Sequence, residues 1–256
     1  GGFFPAPTPG SVNGSSFSGF VADTEFDVDR GFFDAPFTVT ISTATAGATI
    51  SYTTDGSEPS LSNGILAGGS SVGLMISETT VLRAAAFRNG LGSTDIDTQT
   101  YLFTADILEQ TEMDPDVVDD PAYSEEMVSA MKSIRSLSIV TDPDNLFGSS
   151  IGILANTGGR GLAWERPVSI EFIDPGNAVE SFQTDAGLRM HGNGSRGSAK
   201  NSLRLLFRGD YGDKKLDYPL FGEDWVAQKF NTVVLRAQNA NSWMSSRAED
   251  RTATTF

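Results

Sequence analysis

Between residues 36 and 103, apolar and polar positions alternate with a period of two in "PFTVTIST" (36–43), "ATISYTTDG" (48–56), "TTVLRAAAF" (79–87) and "TQTYLF" (98–103). Alternation of this kind sends successive side chains to opposite faces, which is the pattern of a half-buried strand. Asp55-Gly56 and Asn89-Gly90 supply turn chemistry between the runs. Short strands at such spacing predict a small antiparallel β-sandwich, immunoglobulin-like in its layering, over residues 26–104. The preceding stretch, "GGFFPAPTPGSVNGSSFSGF", carries Pro, Gly, Ser and Asn at turn density, so residues 1–25 read as a linker or the tail of an earlier domain.

The pattern changes after residue 104. Residues 105–125 read as an acidic connector. Within "DILEQTEMDPDVVDD", Asp114, Asp116, Asp119 and Asp120 offer hard oxygen ligands, but the spacing fails the D-x-D-x-D-G calcium loop and assigns no metal. A helix is predicted over Tyr123 to Ile134, with Ser124 as cap, Glu125 and Glu126 in its first turn, and Lys132 and Arg135 near its end. "SLSIVT" (136–141), "PVSIEFI" (167–173), "DAGLRMHG" (185–192), "NSLRLLF" (201–207) and "NTVVLRA" (231–237) then read as strands, and another helix is expected near Ser245. Residues 126–256 therefore predict an α+β domain whose sheet is built from hairpins.

Charge separates these regions further. The chain carries a net charge of -15, which argues against binding nucleic acid or an anionic membrane. From Asp95 to Met131 there are eleven acids and no Lys or Arg, whereas Arg189 to Lys215 holds seven bases and two acids, Asp210 and Asp213. The second stretch is a local attractor for anions. With no cysteine, thiolate chemistry, disulfides and cysteine-based zinc sites are excluded. No run approaches the roughly 18–20 apolar residues of a membrane span. The chain does not start with Met, and it reads as a fragment of a longer protein.

Several short motifs compete in the basic stretch and near it. Gly148, Ser150 and Gly152 satisfy G-x-S-x-G, but turn residues flank both sides, and the lone histidine, His191, cannot be both oxyanion-loop residue and triad base. Gly192, Gly194 and Gly197 satisfy G-x-G-x-x-G. A dinucleotide turn must lead into a helix. Here "NSLRLLF" follows, with Leu203, Leu205 and Phe207 on one face and Ser202, Arg204 and Leu206 on the other, which is a strand. Gly197-Ser198-Ala199-Lys200 is out of step with a Walker loop. A strand, a Gly-rich turn and a second strand remain, ringed by Arg196, Lys200 and Arg204. Two readings stay open: a turn that covers phosphates, as in protein-kinase-like lobes, or a hairpin whose glycines merely permit positive φ.

Two resemblances bear on this choice. "GFFDAPFTVTISTATAGATISYTTDGSEPS" resembles the β-sandwich module related to the C-terminal domain of chitobiase and β-hexosaminidase, whose Y-T-T-D-G-S-x-P-S hallmark falls on Tyr52 to Ser60. Such modules accompany secreted proteins and imply no catalysis. "MDPDVVDDPAY", "LSIVTDPDNLF", "GRGLAWERPVSIEF", "DAGLRMHGNGSRGSAKNSLRLLFRGDYGDKKLDYPLFG" and "FNTVVLRAQNANSW", in that order, resemble the CotH kinase family over about Asp106 to Phe256. "FFPAPTPGSVNG" is similar to the end of a lamin-tail-like domain.

The second resemblance implies an atypical protein-kinase-like fold, present in part, that uses ATP and Mg²⁺ to phosphorylate protein Ser residues. It implies a cofactor-binding set of Arg189, Gly192, Asn193, Gly194, Ser195, Lys200 and Arg204, with a phosphate-covering turn from Gly192 to Gly197 and phosphate contacts from Lys200 or Arg204. The family's Mg²⁺-holding acids lie beyond Phe256, so the chain as given is expected to be inactive. Together the two resemblances imply a bacterial, secreted or cell-surface multidomain protein, whose partner is a protein substrate or, in a non-catalytic adhesive role, a surface polysaccharide.

Overall fold

The structure is a computed structural model that describes residues 16–110, 113, 115–176, 180–197, 201–222 and 224–237. Lys200, Asp114, most of the predicted linker and the helix expected near Ser245 lie outside the described residues. The chain divides into two compact units, one comprising Gly1–Ser138 with Glu171–Gln183, the other Ile139–Ile170 with Thr184–Phe256.

The first unit contains a β-sandwich. One sheet has the order β1-β3-β6, from β1 (Thr24–Phe26), β3 (Phe37–Thr43) and β6 (Ser71–Ile76). The other has the order β2-β8-β7-β4-β5, from β2 (Gly31–Phe33), β8 (Asp97–Phe103), β7 (Thr80–Phe87), β4 (Thr49–Thr53) and β5 (Ile65–Ala67). Neighbouring strands in these two sheets run antiparallel except β2 with β8, which run parallel with Phe32 opposite Leu102. The four strands expected from alternation are all present, and the short β1, β2, β5 and β6 complete the sheets.

Alternation explains the core. Val39 and Ile41 of β3, Ile50 and Tyr52 of β4, Leu82, Ala84 and Ala86 of β7, and Tyr101 and Phe103 of β8 fill the space between the sheets. Phe33, Phe37 and Tyr101 add edge and stacked ring contacts, with the Phe33 and Phe37 centroids 4.2 Å apart and the Phe37 and Tyr101 centroids 5.2 Å apart.

The opposite face of the larger sheet is also covered, which is why Ser51, Arg83, Ala85, Thr98 and Thr100 are buried. The segment 54–64 crosses it as a strap. The Ser51 hydroxyl meets the Ser60 and Asn63 carbonyls at 2.8 and 3.1 Å, and Arg83 Nη1 donates to the Gly56 carbonyl at 2.9 Å. The Tyr52–Ser60 motif thus has a structural meaning. Asp55 accepts from the backbone and hydroxyl of Ser57, Thr53 donates to the Ser57 carbonyl at 2.6 Å, and Gly56 takes φ 82° at the turn. Those bonds hold the Asp55 carboxyl below its ordinary range, the Ser57 hydroxyl first and its backbone N–H second.

Helices α1 (Thr104–Leu108), α2 (Pro115–Val118) and α3 (Pro121–Met131) follow. The last replaces the helix expected at Tyr123 to Ile134. Its cap is Asp120, which accepts from the Ala122 N–H at 2.8 Å, not Ser124. Pro121, with no N–H to lose, fits the first helical turn and moves the start upstream. The same Asp-Pro device begins α4 (Pro143–Phe147), a helix the pattern of apolar residues does not announce, with the Asp142 carboxylate accepting from the Asp144 N–H at 2.9 Å.

The second unit holds most of a five-stranded sheet of order β15-β12-β11-β10-β9. Its strands are β9 (Ser136–Val140), β10 (Arg166–Ile173), β11 (Phe182–Met190), β12 (Leu203–Leu206) and β15 (Thr232–Leu235), and a two-stranded pair, β13 (Leu216–Asp217) with β14 (Lys229–Phe230), lies beside them in sequence. Ile170, Ala186, Leu188, Leu205, Leu206 and Phe207 are buried in it. Among the described residues no helix is long and apolar enough to cross a membrane.

Candidate functional site

The basic stretch folds as a hairpin. β11 and β12 pair antiparallel in the register Gly187 to Leu206, Leu188 to Leu205, Arg189 to Arg204 and Met190 to Leu203. The His191 N–H closes the ladder on the Ser202 carbonyl at 2.8 Å. A Gly-rich turn joins the strands, so the hairpin places two arginines directly opposite each other. Cβ atoms of such pairs lie roughly 4.5–5.5 Å apart, and like charges there repel.

Each arginine is steadied differently. Arg189 Nη2 pairs with Glu165 Oε2, and Arg208 Nε lies 3.3 Å from Glu165 Oε1. Glu165 is buried, follows a 3₁₀ turn at Leu162–Trp164 and immediately precedes β10. Gly187, on the same face of β11 as Arg189, leaves room for it. A Cβ there would stand 2.6 Å from Glu165 Oε1 and 2.7 Å from Tyr211 Cε2. The Tyr211 hydroxyl is pushed up to about 12, by burial first and then by the neighbouring Glu165 carboxylate.

Arg204 Nη2 lies 3.0 Å from His191 Nδ1, which must be the unprotonated ring nitrogen to accept. Desolvation, then the charges of Arg204, Arg196 and Arg236, lower the His191 pKa and keep the ring neutral. Among the described residues, the Nε atoms of both Arg189 and Arg204 are buried without a hydrogen-bond partner.

The turn is fixed by Arg196. Its Nε donates to the Gly192 carbonyl at 2.7 Å, Nη1 to Thr157 and Gly159 at 3.0 and 2.6 Å, and Nη2 to Met190 at 2.9 Å. These four bonds consume most of its donors, so this cation is a clamp for the turn. Gly192 has φ 96° and Gly194–Gly197 form one turn of 3₁₀ helix. Arg160 Nη2 donates to Asn193 Oδ1 at 2.9 Å and adds a cation at the rim.

Of the expected site residues, the hairpin brings together Arg189, Gly192, Asn193, Gly194, Ser195 and Arg204; Lys200 lies outside the described residues. Glu165, Arg160, Arg208 and Tyr211 belong to the same constellation and went unnoticed in the sequence. Glu165 carries no local signal, since it precedes β10, whose own run holds a second acid, Glu171. G-x-S-x-G proves to be winding geometry. Gly148 ends α4, the Gly152 N–H bonds to its carbonyl at 2.8 Å, and Ser150 is exposed on a turn. Among the described residues no group of three or more His, Asp or Glu side chains is placed to hold a metal ion.

No curated protein and no solved structure significantly matches the chain. Residues 28–98, which comprise most of the sandwich, match the family model of the chitobiase/beta-hexosaminidase C-terminal domain.

Proposed function

We propose that the second unit is the N-terminal part of a CotH-type kinase lobe, within a secreted or cell-surface bacterial protein, and that its hairpin holds the phosphate chain of ATP. The observation that carries this reading is the register pair of Arg189 and Arg204. Two cations opposite each other on neighbouring strands destabilise a hairpin unless an anion lies between or above them. One buried acid, Glu165, is shared by Arg189 and Arg208, and among the described residues Arg204 meets a neutral imidazole. An oxyanion ligand completes the charge balance and meets the two unpartnered Nε groups.

In this reading Glu165 is a positioning residue that aims the Arg189 fork, and His191 aims Arg204. Arg196 holds the turn from Gly192 to Gly197 rigid, so that its backbone N–H groups can approach a phosphate where glycines carry no side chain. ATP, accompanied by Mg²⁺, would supply the transferable phosphoryl group and a protein Ser would accept it. No step is assigned to the metal, because the described residues offer no carboxylate set for it.

Titration of the chain with ATP, monitored calorimetrically, tests this assignment. Binding should weaken at least tenfold in Arg204→Ala, and inorganic phosphate should compete. Equal ATP affinity in Arg204→Ala, Arg189→Ala and Lys200→Ala would remove the hairpin from nucleotide binding.

A second reading concerns the first unit. The match of residues 28–98 supports a carbohydrate-associated accessory module. Its test is binding of the chain to a glycan array.

A further inference from the structure

At one end of the sandwich, where the strap no longer covers the larger sheet, a cleft of about 540 Å³ opens. Its walls come from four separate segments. Thr49 and Phe87 are cross-strand partners on the last rung of β4 and β7, Leu61 comes from the strap, Leu91 from the turn after β7, and Phe17 from the segment before β1. Arg88, Asn89 and Ser93 add polar groups.

What these polar groups do not do is informative. In the adjoining strap nearly every polar side chain is satisfied internally: Asp55 by Ser57, Ser51 by Ser60, and Asn63 by Ser57 and Glu58. By contrast, the side chains of Thr49, Arg88, Asn89 and Ser93 make no hydrogen bond or ion pair with another described residue. The Asn89-Gly90 turn, closed by the Leu91 N–H on the Arg88 carbonyl at 3.1 Å, presents Arg88 and Asn89 outward. Leu61 is left 60% exposed beside them.

A volume of this size, two aromatic rings, two leucines and a rim of hydroxyl, amide and guanidinium groups form a small-ligand site. The complement of an aromatic wall with a hydroxyl- and amide-bearing rim is a pyranose, which has an apolar C–H face and a girdle of hydroxyls. Charge narrows the class. Among the described residues Arg88 is the one charged residue lining the cleft, in a chain whose net charge of -15 would otherwise repel an anionic polymer. A guanidinium without a carboxylate partner favours a carboxylate on the ligand.

We propose that this cleft binds an acidic sugar, a hexuronate residue of a polysaccharide, with its ring on Phe87 and Phe17 and its carboxylate on Arg88. The inference rests on the carbohydrate-associated reading of residues 28–98, and it is independent of the phosphate site on the second unit.

The test is an NMR or calorimetric titration of the chain with tetragalacturonate and with its neutral methyl ester, up to roughly 10 mM, since single-residue sugar sites bind weakly. The acid should bind at least tenfold tighter than the ester, and 0.5 M salt should reduce that preference (about one Debye length of 4 Å). Arg88→Gln, at an exposed position, should abolish the preference for the acid. Phe87→Leu, which keeps the position apolar, should weaken both ligands. Equal binding of acid and ester overturns the acidic class. Glycan binding that persists unchanged in both variants overturns the cleft while leaving the carbohydrate-associated reading standing. Failure of every glycan on an array overturns both.

Discussion

Glu171 grips Thr100 at two points: its Oε1 accepts the Thr100 backbone N–H at 2.9 Å, and its Oε2 accepts the hydroxyl of the same residue. The carboxylate is fully buried, and Arg30 Nε lies 3.3 Å away. The Thr100 hydroxyl is also 2.8 Å from the Ser138 hydroxyl. The compact unit that contains the sandwich is therefore closed by a residue 71 positions downstream in the chain. Arg30 in turn holds Gln99, its N–H and Nε reaching Gln99 Oε1 at 2.8 and 3.1 Å. Burial raises the Glu171 pKa, and the Thr100 hydroxyl and Arg30 oppose that rise.

Removing this carboxylate should be costly. Glu171→Ala leaves the Arg30 charge and the Thr100 donors without their acceptor, and losing one partner of a buried pair costs about 3–5 kcal/mol. Glu171→Gln keeps an acceptor for the Thr100 N–H and should cost less than half as much. Urea denaturation followed by circular dichroism measures both. Equal destabilisation by the two variants would show that charge, not hydrogen bonding, is what Thr100 needs.

How much of this was legible beforehand differs between the two units. Alternation located β3, β4, β7 and β8, because each sends one face into a two-sheet core. It did not reveal β1, β2 and β5, which at three residues each are too short for a period to register, nor the six-residue β6, "SVGLMI", whose Gly73 interrupts the alternation. The Tyr52–Ser60 motif was recognisable as a block, but its role as a strap that buries Ser51 and Arg83 depends on contacts across the sheet. In the second unit, the strand-turn-strand order around Gly192 followed from what succeeds the glycines. The opposition of Arg189 and Arg204 did not, since register depends on how the turn is wound, and Arg196 sets that winding by reaching back to Thr157 and Gly159. Glu165 was hidden for the same reason: its partners lie 24 and 43 positions away in the chain.

Asp97 makes the stability of the sandwich depend on pH. Burial pushes its carboxyl up to about 6, the charges of Asp23 and Asp95 push the same way, and the hydrogen bond from Thr24 and the charge of Arg30 oppose them. Because the folded pKa lies above the ordinary value of 3.8, the native state holds the proton more tightly than the unfolded chain. The resulting stability is present below about pH 4 and is lost as pH rises through 6. After allowance for solvent screening at this half-buried position, the change should be about 1–2 kcal/mol. Asp97→Asn should flatten that part of the pH profile and raise the melting temperature at pH 8. An unaltered slope between pH 4 and 7 would assign the dependence to another group.

His191 should act in the opposite direction. Desolvation and then Arg204 depress its pKa below 6.5, so the folded state prefers the neutral ring. Its contribution to stability is present above pH 6.5 and is lost as pH falls through the folded-state pKa. The chain has one histidine, so its ring proton gives an isolated NMR signal to follow. In Arg204→Ala the titration should move upward toward 6.5, because one neighbouring charge is gone and Nδ1 is no longer committed as an acceptor. Binding of ATP or inorganic phosphate should raise the same midpoint by screening the cations. A midpoint that ignores both changes would mean that burial alone governs the ring.

The tightest constraint on the hairpin is Gly187. A methyl group there would stand 2.6 Å from Glu165 Oε1, and 2.7 Å from both Glu165 Cγ and Tyr211 Cε2. Relief requires Glu165 to leave its place between Arg189 and Arg208, or the Tyr211 ring to shift. Gly187→Ala should therefore destabilise the second unit by about 2–4 kcal/mol, the range for an overpacked interior that also disturbs a buried charge. The effect should not add to that of shortening the acid. In Gly187→Ala with Glu165→Asp, the retracted carboxylate clears the methyl group, and the pair should cost less than the sum of the two single changes by at least about 1 kcal/mol. The same cycle reports on function. If Glu165 positions Arg189 for an oxyanion, Gly187→Ala should weaken phosphate binding even at temperatures where the unit remains folded, and Glu165→Asp should restore part of it. Additive stabilities with unchanged phosphate affinity would show that Glu165 serves packing alone.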